Sequence, residues 1–153
     1  MEQNRPRPKR GEVLAGELRN GKLSGEDLEN IVLFLEGVSD EWLAALEIRK
    51  KIKDEEDKRV SIRDRHANTL PRLPKEERAE ILRNIELIGF AFQVNDYLVP
   101  RAVLLEVGRQ ETSAYTMGGA LRTMESFGEI KIDEDNMVAP SDKLRKHLEE
   151  GHQ

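Results

Sequence analysis

The stretch "SAYTMGGALRTMESFGEIKIDEDNMVAP", residues 113–140, decides the fold class. Met117, Leu121 and Met124 recur at helical spacing and put one apolar stripe on a helix that Gly128 can stop. Ile130 and Ile132 then alternate with polar residues, a tight link at Glu134 and Asp135 turns the chain, and Val138 supplies a second inward position. A helix followed by a small β-hairpin is expected. The anomaly lies inside the helix, where Gly118 and Gly119 stand side by side although each glycine costs roughly 1 kcal/mol relative to alanine in a helix interior.

Working outward, residues 100–110 read as a helix that Pro100 starts and Gly108 ends, and "RQETS" as a polar turn before the next helix. Further upstream Pro74 suits the first position of a helix carrying Ile81, Leu82, Ile85 and Ile88 on one side, with Gly89 ending or bending it. A short strand is expected near Phe92 to Val94. Downstream, Ser141 caps a final helix, "DKLRKHLEE". Helix, turn, helix, two-stranded wing, helix resembles a winged helix-turn-helix domain over about residues 74–150. Thr116, Met117, Ala120, Leu121, Arg122, Met124, Glu125, Gly128 and Ile130 carry the likeness.

The resemblance implies a binding function centred on the second helix of the motif. In DNA-binding members of the family, the residues between the buried aliphatic and the small residue enter the major groove and read base edges. Here those residues are Gly118 and Gly119, which have no side chain with which to read a base. The acidic wing at Asp133 to Asp135 and a turn about three residues longer than usual are two further departures. Arg109, Gln110, Thr112, Ser113, Tyr115, Thr116, Arg122 and Lys131 nevertheless fall around the expected docking face, where hydroxyls, an amide and cations suit phosphate contacts. Glycine also permits close approach of another backbone, so Gly118 and Gly119 join the candidate set. Two partners stay open: double-stranded DNA, as for a transcription regulator, or a protein bound by an adaptor or accessory subunit.

The N-terminal part has a different character. Arg5, Arg7, Lys9 and Arg10, interrupted by Pro6 and Pro8, make residues 1–11 a flexible basic arm. Residues 12–60 read as a helical hairpin after a short lead helix. Ser24 caps a helix with Leu28, Ile31, Val32 and Leu35 in one stripe, and Ser39 caps a second with Trp42, Leu43, Leu46 and Ile52. The exposed stripe suggests a dimerisation element. The mixed-sign run from Arg49 to Arg59 reads as a solvated face. Two prolines and the loss of periodicity make residues 61–73 a linker to a winged-helix-like unit at 74–153. Residues 21–51, on Gly21, Lys22, Leu23, Ser24, Val38, Ser39 and Asp40, are also similar to helical lead segments of nucleoside phosphorylases, phosphoribosyltransferases and some radical-SAM barrels. That likeness implies a two-helix pairing module and no catalytic part.

Composition narrows the chemistry. The 153 residues carry a formal net charge of −5, and residues 74–153 hold the whole acidic excess. With no cysteine there is no disulfide framework and no thiolate metal site. His66, His147 and His152 lack a helical partner at metal-ligand spacing and read as solvated surface residues. No phosphate loop or nucleophile elbow occurs, so a non-enzyme with no cofactor and no metal is expected. No apolar run approaches a membrane span or a signal core, which points to a cytoplasmic protein. The expected fold class is mainly α with a small β-hairpin: an N-terminal helical hairpin and a C-terminal winged helix-turn-helix.

Overall fold

A computed structural model describes residues 39–70 and 72–151. The basic arm, the lead helix, the helix expected at 24–37 and His152 lie outside the described residues. Helix α1 spans Asp40–Asp54, and Ser39 caps it by accepting the Trp42 amide at 3.1 Å, as its sequence position predicts. Ala45, Ile48 and Ile52 enter the same core as the C-terminal elements. Burial of the two isoleucines stabilises by roughly 3–6 kcal/mol, which is comparable with the net stability of a small domain. Lys50, Lys51 and Lys53 stay exposed.

Residues 61–73, expected as a linker, carry Ile62 and His66 into that core around a 3-10 turn at Arg63–His66. His66 is only 2% exposed, which corrects its reading as a solvated surface residue. Its Nε2 lies 2.5 Å from Glu129 Oε1 and its Nδ1 3.1 Å from the Thr69 hydroxyl. Arg65 Nε donates to the other Glu129 oxygen at 3.1 Å, and the Phe127 ring meets the imidazole edge-on. The buried carboxylate at the base of the hairpin is thereby paired, as burial requires.

Helix α2 runs Lys75–Val94 with Pro74 just before it. It passes straight through Gly89 and includes Phe92, so the strand expected near Phe92 to Val94 is absent. Ile81, Ile85, Ile88 and Phe92 continue one buried stripe, and that burial outweighs the weak alternation of the local sequence. Gly89 serves packing instead, since a Cβ there would come within 2.9 Å of Ile62 Cδ1. The chain leaves the helix through Asp96 and Tyr97, both at positive φ, and the Tyr97 amide bonds back to Phe92 O at 2.9 Å.

Strand β1, Val99–Pro100, precedes helix α3 at Arg101–Glu111 and helix α4 at Ala114–Ser126. Strands β2, Ile130–Ile132, and β3, Met137–Pro140, form the wing-like hairpin, and helix α5 closes the fold at Asp142–Glu150. The three strands lie antiparallel in the order β1-β3-β2, with Val99 opposite Val138 and Ile132 opposite the same residue. The pairing of β1 was not expected from so short a segment. Met117, Leu121, Met124, Ile130 and Val138 are all buried, as their spacing predicts. The result is a mainly α unit with a three-stranded antiparallel sheet, its main elements arranged helix, helix, strand, helix, helix, hairpin, helix.

Helix α3 does not stop at Gly108 but continues to Glu111, leaving only Thr112 and Ser113 before α4. The connection is short, so the long turn read from the sequence disappears. A Cβ on Gly108 would stand 2.3 Å from Met117 Cβ and 3.0 Å from Ser113 O, which shows why glycine occupies this helical position. Close contact between α3 and α4, not helix termination, fixes it.

Candidate functional site

Among the described residues, the outer face of α4 brings several of the sequence candidates together. Its start is built by side chains that turn inward. Ser113 caps the helix by accepting the Thr116 amide at 3.1 Å. Asn84 of α2, fully buried, donates to Thr116 Oγ1 at 3.0 Å and accepts from the Thr112 hydroxyl at 2.9 Å. Thr116 donates in turn to Glu80 Oε1 at 3.0 Å, and Ser113 and Thr116 hydroxyls sit 2.8 Å apart. Gln110 is 7% exposed; its Nε2 donates to Trp42 O at 3.2 Å and its Oε1 accepts from Arg49. Gln110, Thr112, Ser113 and Thr116 thus spend their hydrogen bonds on positioning α1, α2 and α4 against one another.

The remaining candidates separate. Arg109 pairs with Glu106 one turn back on α3. Lys131 is exposed on β2. The wing turn beyond it is organised by Asp133, whose carboxylate accepts the Asp135 and Met137 amides at 2.8 and 2.9 Å. Asn136 at φ 60° completes that turn. Arg5, Arg7, Lys9 and Arg10 lie outside the described residues.

Tyr115, Gly119, Arg122 and Ser126 follow one another at helical spacing along the open side of α4. Tyr115 is 68% exposed, and Arg122 is exposed as well. Facing them, Leu73, Glu77 and Ile81 come from α2 and the residues just before it. Together with Thr123 they line an open groove of about 430 Å³. Leu73, Glu77 and Ile81 were not among the sequence candidates. For Glu77 and Ile81 the signal that could have found them is their i, i+4 spacing on the side of α2 that meets α4.

The glycine pair now has a local account. Gly118 is buried and Gly119 partly so, although neither has positive φ. Among the described residues, and apart from the helix's own backbone, Arg122 Nη1 lies nearest a Cβ placed on Gly118, at 3.4 Å, so the guanidinium lies back over the bare backbone. A Cβ on Gly119 would approach Ile81 Cδ1 at 3.1 Å and Arg122 Nη2 at 3.9 Å. The pair lets Ile81, itself only 4% exposed, pack against α4 and gives Arg122 room beside it. Arg122 makes no ion pair with a carboxylate among the described residues, unlike Arg49, Arg65, Arg83, Arg109 and Arg145.

No group of His, Cys, Asp and Glu that could hold a metal occurs among the described residues. No described helix is long and apolar enough to cross a membrane. Comparison of the chain with family models, with curated proteins and with solved structures finds no match.

Proposed function

We propose that the chain is a winged helix-turn-helix binding module, without a catalytic step of its own, that takes a protein partner on the outer face of α4. The observation that carries the reading is the division of labour on that helix. Gln110, Thr112, Ser113 and Thr116, expected to meet phosphates, are committed to internal bonds, whereas Tyr115 and Arg122 stand exposed beside an open groove. Tyrosine and arginine are the side chains that most often dominate protein interfaces. The wing tip adds Asp133, Glu134 and Asp135, charges that would oppose a polyanion approaching from that side.

Quantitative co-purification of the full chain, compared with the Tyr115→Ala/Arg122→Ala double variant, tests the reading. A stoichiometric protein that the parent retains and the variant loses is the expected result. Nucleic acid retained in its place, with the same sensitivity, would overturn it.

The second reading is a DNA-binding transcription regulator. It draws on exposed Arg122 and Lys131 together with the basic arm at residues 1–11. Under that reading, deletion of residues 1–10 weakens binding to all duplexes alike and flattens the slope of log affinity against log salt by up to about 0.9 per lost phosphate contact. Failure to bind any duplex at low ionic strength removes it.

A further inference from the structure

We propose that the open face of the three-stranded sheet is a self-association surface, on which a second copy of the chain lies with its strands reversed. Successive side chains of a strand alternate between the two faces of a sheet. Val99, Ile130 and Val138 are buried in the core, so their neighbours along the strands form the other face. That face carries two rows. Ala139 and Lys131 are paired in the first, and Leu98, just before β1, joins them by alternation from Pro100. Pro100 and Met137 are paired in the second, which Asp133 completes by donating its amide to Met137 O at 3.1 Å. Leu98 is 45% exposed, Lys131 and Asp133 are exposed, and Pro100, Met137 and Ala139 are partly so. A partner can therefore reach every member of the face.

The layout of charge identifies the occupant. The β1 side of the face is apolar in both rows, whereas the β2 side holds a cation in one row and an anion in the next. A two-fold axis running across the strands at the level of Val138 exchanges the rows. It sets Lys131 of each copy opposite Asp133 of the other, Met137 opposite Ala139, and Leu98 opposite Pro100, so the surface complements itself as a two-fold contact requires. Glu134 and Asp135 of the two wing tips then lie at opposite ends of the pair. An axis along the strands sets Leu98 over Lys131 and brings both acidic tips together, which presses a charge onto hydrocarbon and adds repulsion. Strands about 4.8 Å apart and rows about 7 Å apart make a patch smaller than the roughly 800 Å² per partner of a standard interface. The association is accordingly weak and concentration-dependent. No side chain of α4 takes part in it, so it is independent of the partner reading of that helix.

Sedimentation velocity of the full chain from about 10 μM to about 1 mM, at fixed ionic strength, tests the proposal across the range expected of a weak contact. A monomer-dimer equilibrium is expected, with concentration-dependent shifts of the Leu98, Lys131, Met137 and Ala139 amide resonances. Lys131→Glu should weaken it by about tenfold or more, because two attractive contacts per dimer become repulsive. Adding Asp133→Asn to that variant should recover part of the loss. Asparagine keeps an acceptor for the Asp135 and Met137 amides, so the wing turn survives the change. Leu98→Ser should also weaken the dimer, whereas Lys50→Glu on exposed α1 alters net charge as much as Lys131→Glu does and should leave it unchanged. A chain that stays monomeric at 1 mM overturns the proposal. So does a dimer that ignores Lys131→Glu or Leu98→Ser, one that Lys50→Glu weakens equally, one that Asp133→Asn fails to rescue, or amide shifts confined to residues outside the sheet.

Discussion

Replacing Gly108 by alanine should destabilise the protein although it improves the intrinsic helix propensity of α3. The added Cβ would lie 2.3 Å from Met117 Cβ, whereas ordinary contact begins at 3.4 Å, so the two atoms must separate by more than an ångström. Neither atom can swing away, because each is fixed to its backbone, and Met117 is fully buried in the core. Relief therefore requires α3 and α4 to move apart and loosen the packing of Val107, Met117 and Leu121. Overpacking of this kind costs about 1–3 kcal/mol, and an overlap between two backbone-anchored atoms belongs at the upper end. The gain from glycine to alanine offsets roughly 1 kcal/mol. A net loss of about 2 kcal/mol corresponds to a fall in Tm of roughly 4–8 °C for a chain of this length. Thermal unfolding followed by far-ultraviolet circular dichroism measures it. Gly118→Ala is the internal control, since among the described residues the side-chain atom nearest its Cβ is Arg122 Nη1 at 3.4 Å, and it should raise Tm. If Gly108→Ala matched or exceeded the parent, the claim that glycine is held there by helix-helix contact would be wrong.

Other perturbations follow from the buried polar groups. Asn84→Leu removes the side chain that joins Thr112 to Thr116 and should cost about 2–3 kcal/mol, read as a lower urea midpoint at unchanged slope. Glu129→Ala leaves Arg65 and His66 without their shared carboxylate and should cost about 3 kcal/mol by the same measurement; an unchanged midpoint would mean the cluster is not formed. Burial, and then the nearby Glu149 carboxylate, raises the Tyr97 hydroxyl above its usual 10.0, with the Arg145 cation acting the other way. The folded chain thus holds that proton longer than the unfolded one, so the stabilising effect is complete below the unfolded value and declines as pH rises through the folded value. The tyrosinate absorbance lost in Tyr97→Phe should have its midpoint above 10, and Arg145→Ala should push it higher.

The elements legible in the sequence are those whose burial repeats at a single period. Met117, Leu121 and Met124 announce α4, Ser39 and Ser141 announce two helix starts, and Ile130 with Val138 announces the hairpin. Glycine misled twice, and for one reason. Gly108 reads from sequence as a helix end and Gly89 as an end or bend, local backbone roles, whereas both sit within helices because a neighbour from another element occupies the space of a Cβ. Contacts across elements leave no local trace. His66 was hidden in the same way, since its partner Glu129 is 63 residues distant. The candidate site was half visible: residue type singled out Gly119, Tyr115 and Arg122, but only the packing of α2 on α4 adds Leu73, Glu77 and Ile81.

Hydroxyls and an amide around a helix start look like phosphate ligands from sequence because their chemistry is identical whether they point out or in. Three-dimensional context decides, and here Asn84 decides it. A fully buried asparagine must find partners for both its amide and its carbonyl, and Thr112 and Thr116 are those partners. Once they are engaged, the outward side chains of α4 are Tyr115, Arg122, Glu125 and Ser126. Asn84→Leu therefore does more than lower stability. It frees the Thr112 hydroxyl from Asn84 and Thr116 from its amide donor, so if these threonines served phosphate binding the variant would gain affinity for duplex DNA at low salt. On the internal-bracing account it gains none, and fluorescence anisotropy of a labelled duplex with parent and variant separates the two outcomes.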